Sequence, residues 1–362
     1  VTYWAKWTFD TSNGLTKNLE SDLLESIRCL SGQDGYERLL ANRYKCLGFL
    51  HYHWGNIESA IQLFQKSLSF LPADKSGLHH ASLGTLFGKI GEPERALHHF
   101  ERCLTIEQSQ AILSKSAVFN NLSALYLRLG FLGLAQQIID TGVAVTEPSK
   151  DRGGMCAKAH LKNLCFKAYI NIHTNNFKVA EEIISYIFDE LENGHELPFL
   201  GRANLYYVSG LLAYFQNDFS TCTYRCVESV RLYQEAGAIQ SSYRPLLLQI
   251  CSDPIYSNKS DNEVENKLEE IRQLFTDYLP KDLFLYYRVC SHFWERREKW
   301  HNAFRHLRNA QITQEQLYQA GFECLTKRIN ERILATSEVI KVQSEANKHA
   351  MDSMRYKLNP HF

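Results

Sequence analysis

The stretch Ala41 to Pro72 constrains this chain more than any other. Numbered from Ala41 as position 1, it puts Tyr44, Leu47 and His51 at positions 4, 7 and 11, which share one face of a helix. Gly48, at position 8, has no side chain, so a neighbouring helix can approach closely there. Gly55-Asn56 breaks the chain into a turn. Ile57, Ala60, Ile61, Phe64 and Leu68 line one face of a second helix, with small Ala60 where the two helices cross, and Pro72 stops it. Such a hairpin has an apolar face that it cannot bury alone, so it requires stacked neighbours.

The rest of the chain supplies them. Gly84, Ser123, Ala168 and Gly210 recur in the place of Gly48, and a last unit puts Ser291 there. The second unit adds Leu83, Phe87, Gly91, Ala96, Phe100 and Cys103, and the third Phe119, Leu122, Tyr126, Gly130, Ala135, Ile139 and Gly142. The fourth is weaker, with Leu164, Asn175, Ala180 and Ile184. The fifth carries Tyr206, Asn217, Cys222 and Cys226, and the last Tyr287, Trp294, Ala303, Leu307 and Ala310. Between Gly210 and Ser291 there is room for one degenerate unit; the pattern fades from Gln240 to Asp277, although Glu263 to Phe275 reads as a helix. This order of residues resembles the tetratricopeptide repeat. The resemblance implies an all-α fold: a tetratricopeptide-repeat superhelix of antiparallel helix pairs from about Arg38 to Ala310, then a long C-terminal helix, and no sheet.

Three regions are expected. Residues 1–34 read as the N-terminal helix of a truncated repeat, with Trp4 and Trp7 in its core; 35–311 form the solenoid. Residues 312–362 read as a long connecting or coiled-coil helix, because 312–358 hold no Pro and one Gly, Gly321. Leu317, Phe322, Leu325, Ile329, Ile333 and Ile340 recur there at roughly helical intervals. Such a helix either caps the solenoid or pairs with a twin in a homodimer.

Lys plus Arg and Asp plus Glu both number 40, so charge makes no case for nucleic acid or a membrane surface. No apolar run approaches the ~20 residues that span a bilayer, and no signal peptide stands at the start. The ten cysteines form no Cys-x-x-Cys pair and read as packing residues of a reducing, cytoplasmic compartment. There is no Gly-rich nucleotide loop and no His-Glu-x-x-His. The pairs His51/His53, His79/His80 and His98/His99 lack the spacing that puts two ligands on one helix face, so no metal site is expected. Both ends read as cut within a pattern.

The chain closes with Met354-Arg355-Tyr356-Lys357-Leu358-Asn359-Pro360-His361-Phe362. This resembles the start of the phosphoacceptor segment of LytS/YehU-type sensor histidine kinases. Met354, Arg355, Leu358, Asn359, Pro360, His361 and Phe362 match, while Lys357 stands where the family usually has Gln. The resemblance implies that His361 is a phosphoacceptor, a task that suits a residue titrating near neutral pH. It also implies a kinase portion using ATP and Mg, and a response regulator as partner; the chain itself carries no cofactor motif. The alternatives are a repeat scaffold with no kinase, or a regulator of another output such as a diguanylate cyclase.

In repeats of this kind, set positions of the first helix face the concave side. They map to Asn42, Lys45, Phe49 and Tyr52, then Asn120 and Arg128. Further along they give Lys162, Tyr169 and His173, then Asn204 and Tyr207, then Arg288 and Arg296. This basic, amide and aromatic mixture suits an extended peptide bearing carboxylates. The other reading of the same face is packing against the chain's own C-terminal helix.

Overall fold

The structure, a computed structural model, describes residues 17–53, 56–106, 112–147, 154–278 and 282–328. The helices run α1 (Lys17–Leu30), α2 (Glu37–His53), α3 (Ile57–Ser69), α4 (Gly77–Ile90), α5 (Pro93–Ile106), α6 (Ile112–Arg128) and α7 (Leu132–Thr146). They continue as α8 (Gly154–His173), α9 (Phe177–Glu192), α10 (Phe199–Phe215), α11 (Phe219–Glu235), α12 (Tyr243–Ser252), α13 (Asp261–Tyr278) and α14 (Leu283–Arg296). A last helix, α15, spans 300–328. Among the described residues there is no strand. The chain is the expected all-α solenoid of antiparallel helix pairs, and α12 with α13 fills the place of the faded unit.

Each pair is made the same way. Gly91, Gly130, Asn175, Asn217 and Glu298 occupy the same turn position, and each has positive φ, between 57° and 91°. The left-handed residue lets the next amide turn back onto the helix just ended. Asn56 N–H donates to His51 O, Glu92 to Phe87 O, Phe131 to Tyr126 O and Asn176 to Asn171 O. Asp218 likewise donates to Ala213 O, and Lys299 to Trp294 O. Gly and Asn adopt this conformation readily; Glu298 does so at a steric cost.

The helices of a pair then cross at the small residue of position 8. A Cβ on Gly48 would lie 3.0 Å from the Phe64 ring and 3.4 Å from Ala60 O. On Gly84 it would lie 2.7 Å from Phe100 and 3.1 Å from Ala96 O, and on Gly210 2.7 Å from Cys226 Sγ. Where the residue is Ser, its hydroxyl uses the same carbonyl: Ser123 donates to Ala135 O at 2.5 Å and Ser291 to Ala303 O at 2.9 Å. A second tie recurs lower in the hairpin, where Ser67 donates to Ala41 O and Ser229 to Ala203 O.

The buried side chains form one apolar cluster through α3–α6 and a larger one from α8 to α14. Between the two halves, Asn163 on α8 donates to Ser116 Oγ and Gly142 O, both at 3.0 Å, and accepts from Asn120 at 3.3 Å. The loop before α13 is held by Arg297, which donates to Tyr256 O and Lys259 O and pairs with Asp261 at 2.9 Å.

The last helix differs from the boundary read in the sequence. It runs unbroken from 300 to 328, so nothing divides the chain at 312; no proline or turn residue interrupts it. It also reaches back to the first half of the solenoid. A Cβ on Gly321 would meet Leu129 O at 2.7 Å, and Tyr318 packs on Gly130 and Phe131. Cys324 is buried in the α3–α6 cluster with Leu325 against it. Lys327 pairs with Glu94 at 2.5 Å, and Arg328 with Glu101. Leu317 and Leu325 of the expected dimer seam therefore face this chain's own solenoid. Trp4, Trp7, residues 329–358 and His361 lie outside the described residues.

Urea unfolding checks both halves of the hairpin rule. Gly84→Leu forces a branched side chain onto Phe100 and Ala96 and lowers stability by about 2 kcal/mol or more. Glu298→Gly relieves a left-handed side chain and raises it by roughly 1 kcal/mol.

Candidate ligand-binding channel

The superhelix brings residues from distant repeats to one place. Arg128 ends α6 and His173 ends α8, at the same position of their units. Tyr169 stands one turn before His173, Arg244 begins α12 and Asp282 precedes α14. These side chains, with Leu127, Phe166 and Phe284, line a cavity of about 150 Å³ whose far wall is Gln314 and Leu317 of α15. Tyr169 meets His173 edge-on at 4.5 Å and Tyr207 of α10 at 6.0 Å.

The charges are unevenly matched. Arg244 donates from Nε and Nη2 to Asp282 Oδ2, at 3.0 and 2.5 Å. Burial opposes its charge, but the Asp282 carboxylate more than restores it and holds the guanidinium above its ordinary range. Arg288 donates to Asn175 Oδ1 at 2.5 Å and lies 4.4 Å over the Phe215 ring. Arg128 is half-buried and makes no hydrogen bond among the described residues; burial pulls its pKa down, and Arg244 adds to this while Asp282 opposes it. His173 Nε2 is covered and has no protein partner. Burial, then repulsion from Arg288, pushes its pKa down to about 3, so the ring is neutral. Burial raises the pKa of Tyr169 and Tyr207, so both keep their protons.

The other expected groove residues lie elsewhere. Lys45 is 2 % exposed, between α2 and the histidines of α4, so its amine is not presented at an open surface. Asn42 and Tyr52 are half-buried on α2, and Phe49 stands edge-on to Phe64 at 4.9 Å. Asn120 is held in the Asn163 network. Lys162 is exposed; Asn204 is exposed too and accepts from the Tyr233 hydroxyl at 2.5 Å. Arg296 donates to Cys251 O at 2.5 Å and covers the Phe219 ring at 3.7 Å, fastening α14 to the helices before it. The cavity is built instead from Arg128, Tyr169 and His173 together with Arg244, Asp282 and Gln314. Arg244 falls in the faded unit, Asp282 in the link before the last unit and Gln314 beyond the repeats, where no register assigns a face.

No known family profile matches this chain, and no curated protein does. Solved structures do resemble it. Aspartyl phosphate phosphatase F from Bacillus subtilis superposes with a TM-score of 0.54 at 12% identity, covering 81% of this chain and 74% of that one. A Rap protein complexed with competence and sporulation factor superposes at 0.56 and 13% identity, over 83% of this chain and 81% of that one. At such identities the likeness establishes a shared helical-repeat fold. Among the described residues no helix is long and apolar enough to cross a membrane, and no three metal-ligating side chains are gathered to hold an ion.

A second cluster of titratable groups lies between α2, α4 and α5. His80 Nδ1 and His99 Nδ1 are 2.9 Å apart, which requires one ring to donate and the other to accept through an unprotonated nitrogen. His79 is buried, and neither of its ring nitrogens has a partner. Burial, then Lys45 and His80, pushes its pKa down to about 3, and burial with His80 pushes His99 down to about 4. Both folded values lie below the ordinary histidine value of about 6.5, so the unfolded chain binds protons first as pH falls. The stability that neutral rings contribute is complete above about pH 6.5 and is lost on acidification toward pH 4. The melting temperature should therefore fall between about pH 7 and pH 5, and fall less in His79→Leu, where one of these rings is gone. An equal fall in both proteins would clear His79 of any part in acid lability.

Proposed function

We propose that this chain is the sensing and interaction part of a signalling protein, taking up a protein or peptide segment in the concave channel and answering through α15. The observation that carries this is the convergence of Arg128, Tyr169, His173 and Arg244 on a cavity whose far wall is the C-terminal helix itself. A group binding there touches the solenoid and the helix at once. The Rap protein of similar fold is itself complexed with competence and sporulation factor. Cationic and aromatic walls favour a segment bearing carboxylates. In Arg128→Gln/Arg288→Gln, a fluorescent acidic peptide should bind at least ~10-fold more weakly, with the helical circular dichroism unchanged. Undiminished binding would move the peptide site elsewhere.

The parent protein, on this proposal, is a cytoplasmic sensor histidine kinase. Support comes from the match of residues 354–362 to the phosphoacceptor segment, with Ala346, Ala350, Met351, Met354 and Leu358 forming a sparse stripe that suits a dimeric helix. His361 accepts phosphate from ATP held with Mg on the kinase portion, and a response regulator receives it. A repeat scaffold without a kinase is the second reading, and the seating of Gly321 and Cys324 on the solenoid's own core favours it, since α15 then acts as a cap. The parent protein incubated with labelled ATP separates the two. Acid-labile label on the wild type and none on His361→Gln supports the kinase; equal label on both, or none, leaves the scaffold.

A further inference from the structure

The cavity between α6, α8 and α15 has properties that an extended peptide does not require. Its volume is about 150 Å³. A cavity of about that size accepts a benzene ring, so a peptide lying in the concave channel would place no more than one side chain in it. The walls around that space are largely apolar, with Leu127, Phe166, Phe284 and Leu317 among them. One side is polar and cationic, where Arg128, His173 and Gln314 border the same space.

The balance of charge defines what the polar side lacks. Asp282 is the acid of the cavity wall, and Arg244 already holds one of its oxygens with two donors. Arg288 nearby is engaged with Asn175 and the Phe215 ring. Arg128 is left with its charge half-desolvated and no hydrogen-bond acceptor among the described residues. A guanidinium in that state is costly until an anion meets it, and its planar fork matches a carboxylate. His173, neutral and with its Nε2 covered and unpartnered, lines the same cavity.

We infer that the cavity is a binding site for a small monocarboxylate carrying an apolar body about the size of one ring. Its carboxylate meets Arg128 and its body lies among the phenylalanine and leucine walls. The site shares Arg128 with the peptide reading but needs only the cavity itself, and the two ligands are titrated separately. Because Leu317 and Gln314 belong to α15, the occupant also adds contacts to the seated helix. The solenoid then reads a metabolite through the same helix that closes it.

Benzoate titrated calorimetrically into the full 362-residue chain tests this. The expected dissociation constant is on the order of 1 mM or tighter for so few heavy atoms. Benzyl alcohol, which keeps the ring and loses the charge, and inorganic phosphate, which keeps charge and loses the ring, should each bind at least ~10-fold more weakly. Arg128→Gln should weaken benzoate at least ~10-fold. Leu317→Trp fills the space from the exposed helix without touching Arg128 and should do the same; it answers the question if Arg128→Gln proves poorly folded. Absence of benzoate binding, equal affinity for benzyl alcohol, tighter binding of phosphate, or binding unaltered in folded variants would each overturn the proposal. Absence of peptide binding by the unaltered protein, with benzoate binding present, would overturn the peptide reading alone.

Discussion

Everything in this molecule depends on how closely two helices of a pair approach at one small residue. Gly48, Gly84 and Gly210 each sit on the carbonyl and side chain of the facing helix with no room for a Cβ beyond about 3 Å. Ser123 and Ser291 keep the distance by turning a clash into a hydrogen bond to the same carbonyl. A close crossing matters because dispersion and apolar burial fall off steeply once helices part. Repeating it fixes the angle between successive pairs, and hence the curl of the solenoid. The left-handed turn residues serve the same end, since each sets where the second helix of its pair begins.

That curl has a consequence that no single repeat contains. It carries the start of α14 and the middle of α15 opposite α6 and α8, which lie far earlier in the chain. Closure is then made by a second close approach of the same kind. Gly321 lies against Leu129 O and Gly130 against Tyr318, so two backbones meet where side chains would have held them apart. Cys324 completes an apolar cluster belonging to the first repeats. The flanking ion pairs of Lys327 and Arg328 with Glu94 and Glu101 are solvent-exposed in part and contribute little by themselves. They orient a contact that apolar burial stabilises.

Closure also creates the electrostatic imbalance at the centre. Arg128 and Arg244 come from different units and face one acid, Asp282, with the neutral ring of His173 beside them. In an open array each cation would be solvated. Brought together inside a curved wall they lose water, and only Arg244 gains a full partner in return. A guanidinium without a hydrogen-bond acceptor, only partly offset by Asp282, is a reason to look for an acidic occupant.

The sequence by itself determined the all-α repeat architecture, its turns and its register, because those rest on local spacing. Gly48, Gly84, Ala96, Gly130 and Phe100 stand at intervals that only helix pairs satisfy, and Asn175 and Asn217 mark turns as clearly as glycine does. Of the residues the same local rules assign to the inner side, Arg128 and Tyr169 line the cavity, whereas Tyr207 is buried in the core. The rules could not show that Lys45 is buried or that Arg296 is spent on Cys251 O, because both outcomes depend on how neighbouring units stack. Arg244 and Asp282 gave no signal at all, since one lies in a unit too degenerate to carry a register and the other in the link before the last pair. Capping of the solenoid by α15 was one of two readings of the sequence, but its landing on residues 94–131 gave no signal, although Gly321 stood out in the sequence as the one glycine of a long helix. Its reason is a contact about two hundred residues away, set by the summed curvature of the repeats, and such a sum exists only once the chain has folded.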